Sequence, residues 1–144
     1  MSSASPEETI KAGEYLALFL KKGSVVALKG PLGAGKTCFT KGIARSLGIA
    51  EEITSPTYTI VSEYEARDPG DRSTVIPFFH IDAYRLKGED DFSSLGGEEY
   101  LGEEGISVVE WAERIAGSLP QDALAAEIEI TGGGRLIRIS RGFS

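Results

Sequence analysis

One cysteine, one histidine and one tryptophan stand among 144 residues, and no apolar run comes near the length of a bilayer. Each scarcity excludes something. Cys38 has no second cysteine to pair with, so no internal disulfide can hold the fold, and its place beside a glycine-rich loop suits a small packed side chain better than redox chemistry. A membrane-spanning helix needs about 20 predominantly apolar residues, and the chain has no such stretch. Residues 1–8 have neither the basic start nor the apolar centre of a signal peptide, so the expected location is the cytoplasm, with no membrane partner. Basic charge is short as well: 15 Lys and Arg against 22 Asp and Glu leave a net charge of −7. An acidic body lacks the broad basic face that a phosphate backbone needs, which disfavours direct RNA binding by this chain alone. The clusters Glu89-Asp90-Asp91, Glu98-Glu99 and Glu103-Glu104 read as solvated surface, or as a face for a basic partner.

Glycine, by contrast, is plentiful at 18 residues, and part of it is concentrated where it carries chemistry. Gly30-Pro31-Leu32-Gly33-Ala34-Gly35-Lys36-Thr37 fits the phosphate-binding pattern GxxxxGK followed by Ser or Thr. In such a loop glycines let backbone N–H groups turn toward the phosphates, the lysine reaches the β- and γ-phosphates, and the hydroxyl ligates Mg²⁺. The flanks suit it. Residues 25–28 form a short apolar run fit for a buried strand, and residues 37–47 place Phe39, Ile43 and Leu47 at helical spacing before Gly48. Strand, loop and helix in that order aim the positive end of a helix dipole at the phosphates.

The length and 41% hydrophobic content predict one compact domain over residues 1–144. Ser5-Pro6-Glu7-Glu8 is a capping box with proline at the first helical position, opening an amphipathic helix with Ala12, Leu16, Phe19 and Leu20 on one face and Lys21-Lys22-Gly23 at its end. Residues 57–65 and 75–83 are rich in β-branched and aromatic types around Asp68-Pro69-Gly70-Asp71, which predicts a long hairpin. Pro77 removes a ladder donor and argues for an edge position or a bulge. Residues 86–105 read as one or two short helices, residues 106–109 as a buried strand, and residues 125–130 and 135–139 as a terminal hairpin around Gly132-Gly133-Gly134. The predicted fold is a three-layer α/β domain around a mixed sheet, P-loop-like, with added antiparallel hairpins.

A nucleotide site of this type also needs a carboxylate near the metal and a group to orient the attacking water or acceptor. Three segments compete. Glu110 ends the apolar strand, where nucleotides bind in open α/β sheets. In His80-Ile81-Asp82-Ala83-Tyr84-Arg85 strand alternation sends His80, Asp82 and Tyr84 to one face; His80 alone suits a buried hydrogen-bonded role, and Asp82 in an apolar run needs a partner such as Mg²⁺. Ser55-Pro56-Thr57-Tyr58 is a hydroxyl-rich turn that either starts a strand or brings Thr57 toward the metal or γ-phosphate.

The order of these four motifs, from the glycine-rich loop through Ser55-Pro56-Thr57-Tyr58 and His80-Ile81-Asp82-Ala83-Tyr84-Arg85-Leu86 to Val109-Glu110-Trp111, resembles the TsaE (formerly YjeE) family of small bacterial P-loop ATPases. The resemblance covers almost the whole chain. It implies an ATPase that supports threonylcarbamoylation of adenosine-37 in tRNA without transferring the group itself, acting with the TsaD and TsaB proteins and meeting tRNA only through their complex. By motif match, Gly30, Leu32, Gly33, Ala34, Gly35, Lys36, Thr37 and Cys38 would surround ATP, with Thr57 switch-like and Trp111 beside the site. Thr37, Glu110 and Asp82 would serve Mg²⁺, and Lys36, Asp82 and Glu110 the reaction. Which carboxylate lies closer to the metal is left open, as is whether Arg85 touches phosphate or braces its loop. Pro31 and Cys38 depart from the residues many relatives carry, and Pro31 brings no N–H to the loop.

Two other functions remain in competition at this level. A small-molecule or nucleotide kinase would need an acceptor site, and the chain has no Arg-rich lid to cover one. A nucleotide sensor would bind without turnover. The absence of an Asn/Thr-Lys-x-Asp guanine-reading motif favours adenine.

Overall fold

The computed structural model describes residues 1–31, 33–54, 60–102 and 104–142. A short strand β1 (Ser2–Ser3) precedes helix α1 (Pro6–Ala17), and β2 (Val25–Lys29) leads through a loop to α2 (Lys36–Ser46). The hairpin β3 (Val61–Asp68) and β4 (Asp71–Asp82) follows, then α3 (Glu89–Ser94), a 3-10 helix (Gly97–Leu101) and β5 (Ile106–Glu110). A second 3-10 helix (Ala112–Ser118) and the hairpin β6 (Leu124–Thr131) and β7 (Gly134–Arg141) complete the chain.

All of the strands join one seven-stranded sheet in the order β1-β7-β6-β2-β5-β4-β3. The four central strands are parallel: β6 to β2, β2 to β5, and β5 to β4. The hairpin partners β3 and β7, and β1 beside β7, run antiparallel. This α/β mixed sheet has a direct consequence. The carboxyl ends of β2, β4, β5 and β6 lie at one end of the sheet, together with the loop after β2 and the start of β7.

Alternation along the strands assigns the two faces. Val26, Leu28, Ile106 and Val108 pack with Leu16, Phe39 and Ile43 of the two long helices. Val25, Ala27 and Val109 pack with Phe92 and Ile115 from the short helices on the opposite face. Burial on both faces is the reason β2 and β5 read as unbroken apolar runs.

The structure corrects several sequence expectations. Helix α1 stops at Ala17, with Leu18 as its C-cap, well short of Lys21-Lys22-Gly23. Leu20 is buried, but Phe19 is 49% exposed and packs edge-on against Tyr15. Beyond the helix end the 3.6-residue period no longer places Phe19 on the core face. Strand β4 is interior, between β5 and β3, so Pro77 is not on an edge strand. The pairing to β5 starts only at Phe78, however, and Pro77 is opposite Glu65 on β3 alone, where a missing donor leaves no break in the β5 ladder. Cys38 is half-buried beside a cavity rather than packed in the core.

Helices α1 and α2 cross at closest approach through two glycines. A Cβ on Gly42 would fall 1.9 Å from the Ile10 carbonyl oxygen, and one on Gly13 would fall 2.1 Å from the Phe39 carbonyl oxygen. Both obstacles are backbone, so a methyl group can be accommodated only by moving a helix. Gly42→Ala should therefore destabilise the fold by about 1–3 kcal/mol in urea unfolding, even though Ala is the better helix former by ~1 kcal/mol. An unchanged or raised midpoint would contradict this tight crossing.

Candidate functional site

The loop after β2 reaches α2 through Gly33 and Gly35, at φ +78° and +103°, a backbone region that favours glycine. Gly35 is the N-cap of α2 and supplies no side-chain cap. A helix N-terminus carries partial positive charge, and the helix dipole favours an anion there. The first helical residue is Lys36, only 6% exposed. Its ammonium donates to the Gly30 carbonyl at 2.5 Å and to the Pro31 carbonyl at 3.3 Å, and lies 4.1 Å from the centre of the Trp111 ring. Burial lowers its pKa from the ordinary lysine value, against the opposing pull of Glu110, then Glu113 and Asp82.

Trp111 reaches that position by a costly turn. It has φ 58° and ψ 41° and is the only non-glycine residue with positive φ among the described residues. A left-handed conformation at such a residue costs roughly 1–2 kcal/mol. It reverses the chain immediately after Glu110 and brings the indole to the Lys36 ammonium. Tyr84 packs on the indole with ring centres 4.9 Å apart, and the Arg114 guanidinium lies 5.4 Å from the Tyr84 ring.

Asp82 and Glu110 are direct partners in the β4–β5 register. His80 is two residues before Asp82, on the strand face that carries Phe78 toward the long helices, the face also served by Val108 of β5. The predicted shared face for His80 and Asp82 is therefore found, and Glu110 belongs to it. Tyr84 does not: β4 ends at Asp82, and Tyr84 lies past it, 44% exposed. Asp82 is half-buried, and its Oδ1 accepts from the Tyr84 N–H at 3.0 Å, so this carboxylate has a partner within the chain. His80 is fully buried, with Nε2 2.5 Å from Glu110 Oε2. Its Nδ1 has no hydrogen-bond partner among the described residues, and an unpaired buried polar atom costs about 1–3 kcal/mol. Arg85 is exposed.

The structure thus gathers Gly30, Gly33, Ala34, Gly35, Lys36, Thr37, Asp82, Glu110 and Trp111 at one end of the sheet, with Cys38 on the first turn of α2. Leu32 and Thr57, with the rest of Ser55-Pro56-Thr57-Tyr58, fall outside the described residues. The Thr37 hydroxyl and the Asp82 and Glu110 carboxylates are hard oxygen donors of the kind Mg²⁺ takes. Among the described residues, no group of three or more His, Cys, Asp or Glu could hold a metal by itself. That donor set fits Mg²⁺ bound through one or two carboxylates, a hydroxyl and phosphate oxygens, rather than a cation in a cage of protein ligands.

The family model described as "Threonylcarbamoyl adenosine biosynthesis protein TsaE" matches residues 3–137. The chain belongs to the TsaE family. It is 40% identical over 132 residues to the tRNA threonylcarbamoyladenosine biosynthesis protein TsaE of Treponema pallidum, covering 92% of each chain. It is 43% identical over 130 residues to the Bacillus subtilis protein of the same name, covering 90% of this chain and 77% of that one. Among solved structures, the Bacillus subtilis protein YdiB superposes with a TM-score of 0.73 at 38% identity, over 99% of this chain and 84% of the other. Among the described residues no helix is long and apolar enough to cross a membrane.

The TsaE-family match includes residues that the motifs did not single out. Arg135, the second residue of β7, donates from Nη2 to the Gly33 carbonyl and from Nε to the Ala34 carbonyl, both at 3.0 Å. It therefore braces the loop from about a hundred residues away. Arg135, Ser3, Thr9, Cys38 and the loop glycines line a cavity of about 280 Å³. The Ser3 and Thr9 hydroxyls within it are 2.7 Å apart. No local pattern ties Arg135 to the loop; only the strand order does. Arg135→Ala should raise amide hydrogen exchange at Gly33 to Gly35 by roughly thirtyfold, as two carbonyl bonds worth about 1 kcal/mol each are lost. Unaltered exchange there would show that the loop holds its shape without the brace.

Proposed function

We propose that residues 1–144 act as a single P-loop ATPase domain of the P-loop NTPase-like fold. In this reading the chain is an ATP-binding and ATP-hydrolysing accessory subunit required for N6-threonylcarbamoylation of adenosine-37 in tRNA. It works in the cytoplasm with the TsaB and TsaD proteins and meets tRNA only through that complex. Membership of the TsaE family and the names of its relatives support the pathway. The observation that carries the ATPase reading is Lys36, a partly desolvated ammonium at the uncapped start of α2, drawn by the carboxylates of Glu110 and Asp82. Lysine, helix N-terminus and acids are the groups that phosphoryl transfer requires in one place.

In this reading the α2 N–H groups and Lys36 hold the β- and γ-phosphates, and Lys36 leaves the Gly30 and Pro31 carbonyls to do so. Thr37 and Glu110 hold Mg²⁺, and Asp82 completes the metal's surroundings or orients the attacking water. The metal, when bound, neutralises charge on the β- and γ-phosphate oxygens. The cavity lined by Ser3, Thr9 and Arg135 adjoins the loop and is the place for the base and ribose. Hydrolysis is slow alone and faster in the complex, where a partner completes the charge stabilisation or water positioning.

Phosphate release from ATP and GTP, with and without the TsaB and TsaD proteins, tests this. We expect Mg²⁺-dependent, ATP-selective turnover that rises with the partners, vanishes in Lys36→Ala and falls on the order of 10²-fold in Glu110→Ala. Tight binding without turnover in any combination would replace the ATPase by a sensor. Stoichiometric phosphorylation of a second substrate would replace it by a kinase.

A further inference from the structure

We propose that His80 is a positioning residue, holding the Glu110 carboxylate in the orientation that meets Mg²⁺ and keeping it from closing on Lys36. This inference rests on the nucleotide-site reading above. Its structural basis is the bond between His80 Nε2 and Glu110 Oε2, 2.5 Å long and made across neighbouring strands. Both residues are buried, His80 completely.

Packing alone does not account for a histidine here. Its neighbours along the strand, Phe78 and Ile81, are fully buried apolar residues. An apolar side chain at position 80 would leave no buried polar atom unpaired, whereas His80 leaves Nδ1 without a partner among the described residues. What the ring supplies is a donor aimed at one oxygen of Glu110.

Glu110 needs such a restraint for two reasons. A glutamate carries three side-chain torsions, and a metal or water position is set only when the carboxylate is fixed. Lys36 is a competing partner, and Glu110 is the charge it feels most strongly. A carboxylate released from His80 can swing toward the ammonium and withdraw from the metal position. With Oε2 held by His80, Glu110 would still have its second oxygen, Oε1, to offer a metal. Partners of metal-binding side chains of this kind typically contribute 10- to 100-fold to metal affinity.

The test is calorimetric titration of ADP with and without Mg²⁺, and of Mg²⁺ into the ADP complex, for wild type, His80→Leu, His80→Asn and His80→Gln. Gln places an N–H donor near the position of Nε2, whereas Asn falls short of Glu110 and Leu has none. We expect Mg²⁺-free ADP affinity within about twofold of wild type in all three variants. Mg²⁺ affinity should fall at least tenfold in His80→Leu and His80→Asn and recover in His80→Gln. If His80→Leu does not fold, the Asn and Gln pair decides the matter. Wild-type Mg²⁺ affinity in His80→Asn overturns the proposal, as does a parallel loss of Mg²⁺-free ADP binding, which would mark a purely structural role. Should wild type itself bind no ADP, the nucleotide-site reading fails first and this inference falls with it. Mg²⁺-enhanced binding in wild type that survives in His80→Leu and His80→Asn defeats this inference alone.

Discussion

A lysine ammonium taken partly out of water is the constraint around which this end of the molecule is arranged. Lys36 begins α2, where the backbone already concentrates positive potential, so its charge cannot be balanced by the helix it opens. Three kinds of group compensate: the Gly30 and Pro31 carbonyls, the face of Trp111, and the carboxylates of Glu110, Glu113 and Asp82. Each depends on a separate feature of the fold. The carbonyls require the loop to curl back on itself, the indole requires a left-handed turn at residue 111, and Asp82 and Glu110 require β4 and β5 to end side by side.

Those requirements explain why the sheet takes the order it does around the site. Parallel strands place their carboxyl ends together, so β2 contributes the loop, β5 contributes Glu110 and β4 contributes Asp82 at a common level. The antiparallel β7 starts at that same end and delivers Arg135 to the loop's outer carbonyls. The loop is therefore gripped on both sides, by Lys36 from within and by Arg135 from without. Strain at Trp111 and an imidazole at His80 whose Nδ1 has no partner among the described residues lie within this small region, and local costs of this kind cluster at functional sites.

Much of this was legible in the residues and some was not, for physical reasons. The loop, the strand before it and the helix after it follow from local pattern, because glycines, an apolar run and a 3.6-residue period are all short-range signals. Both hairpins were visible from their turns, and Glu110 from its place at a strand end. The end of α1 was misread because Leu20 is buried beyond the helix and mimics another helical turn. Pro77 does lie where β4 is paired on one side only, as a missing ladder donor requires, but that β4 is otherwise an interior strand depends on strand order, which carries no local signal. Arg135, the left-handed Trp111 and the Gly13–Gly42 crossing carry no local signature, since each is defined by a neighbour far along the chain. The pairing of His80 with Glu110 belongs with them: alternation placed the histidine on the right face, but only the β4–β5 register brought it to that carboxylate.

In the proposed function Lys36 exchanges its bonds to the Gly30 and Pro31 carbonyls for bonds to nucleotide phosphate. Trp111 is the only tryptophan in the chain and lies against the ammonium, so its fluorescence reports the exchange directly. Titration of ATP with Mg²⁺ should give a saturable change in Trp111 emission, and Lys36→Met should shift the starting emission and abolish most of that change. Emission that stays constant while calorimetry shows ATP bound would mean that Lys36 does not move toward the phosphates, contradicting the account.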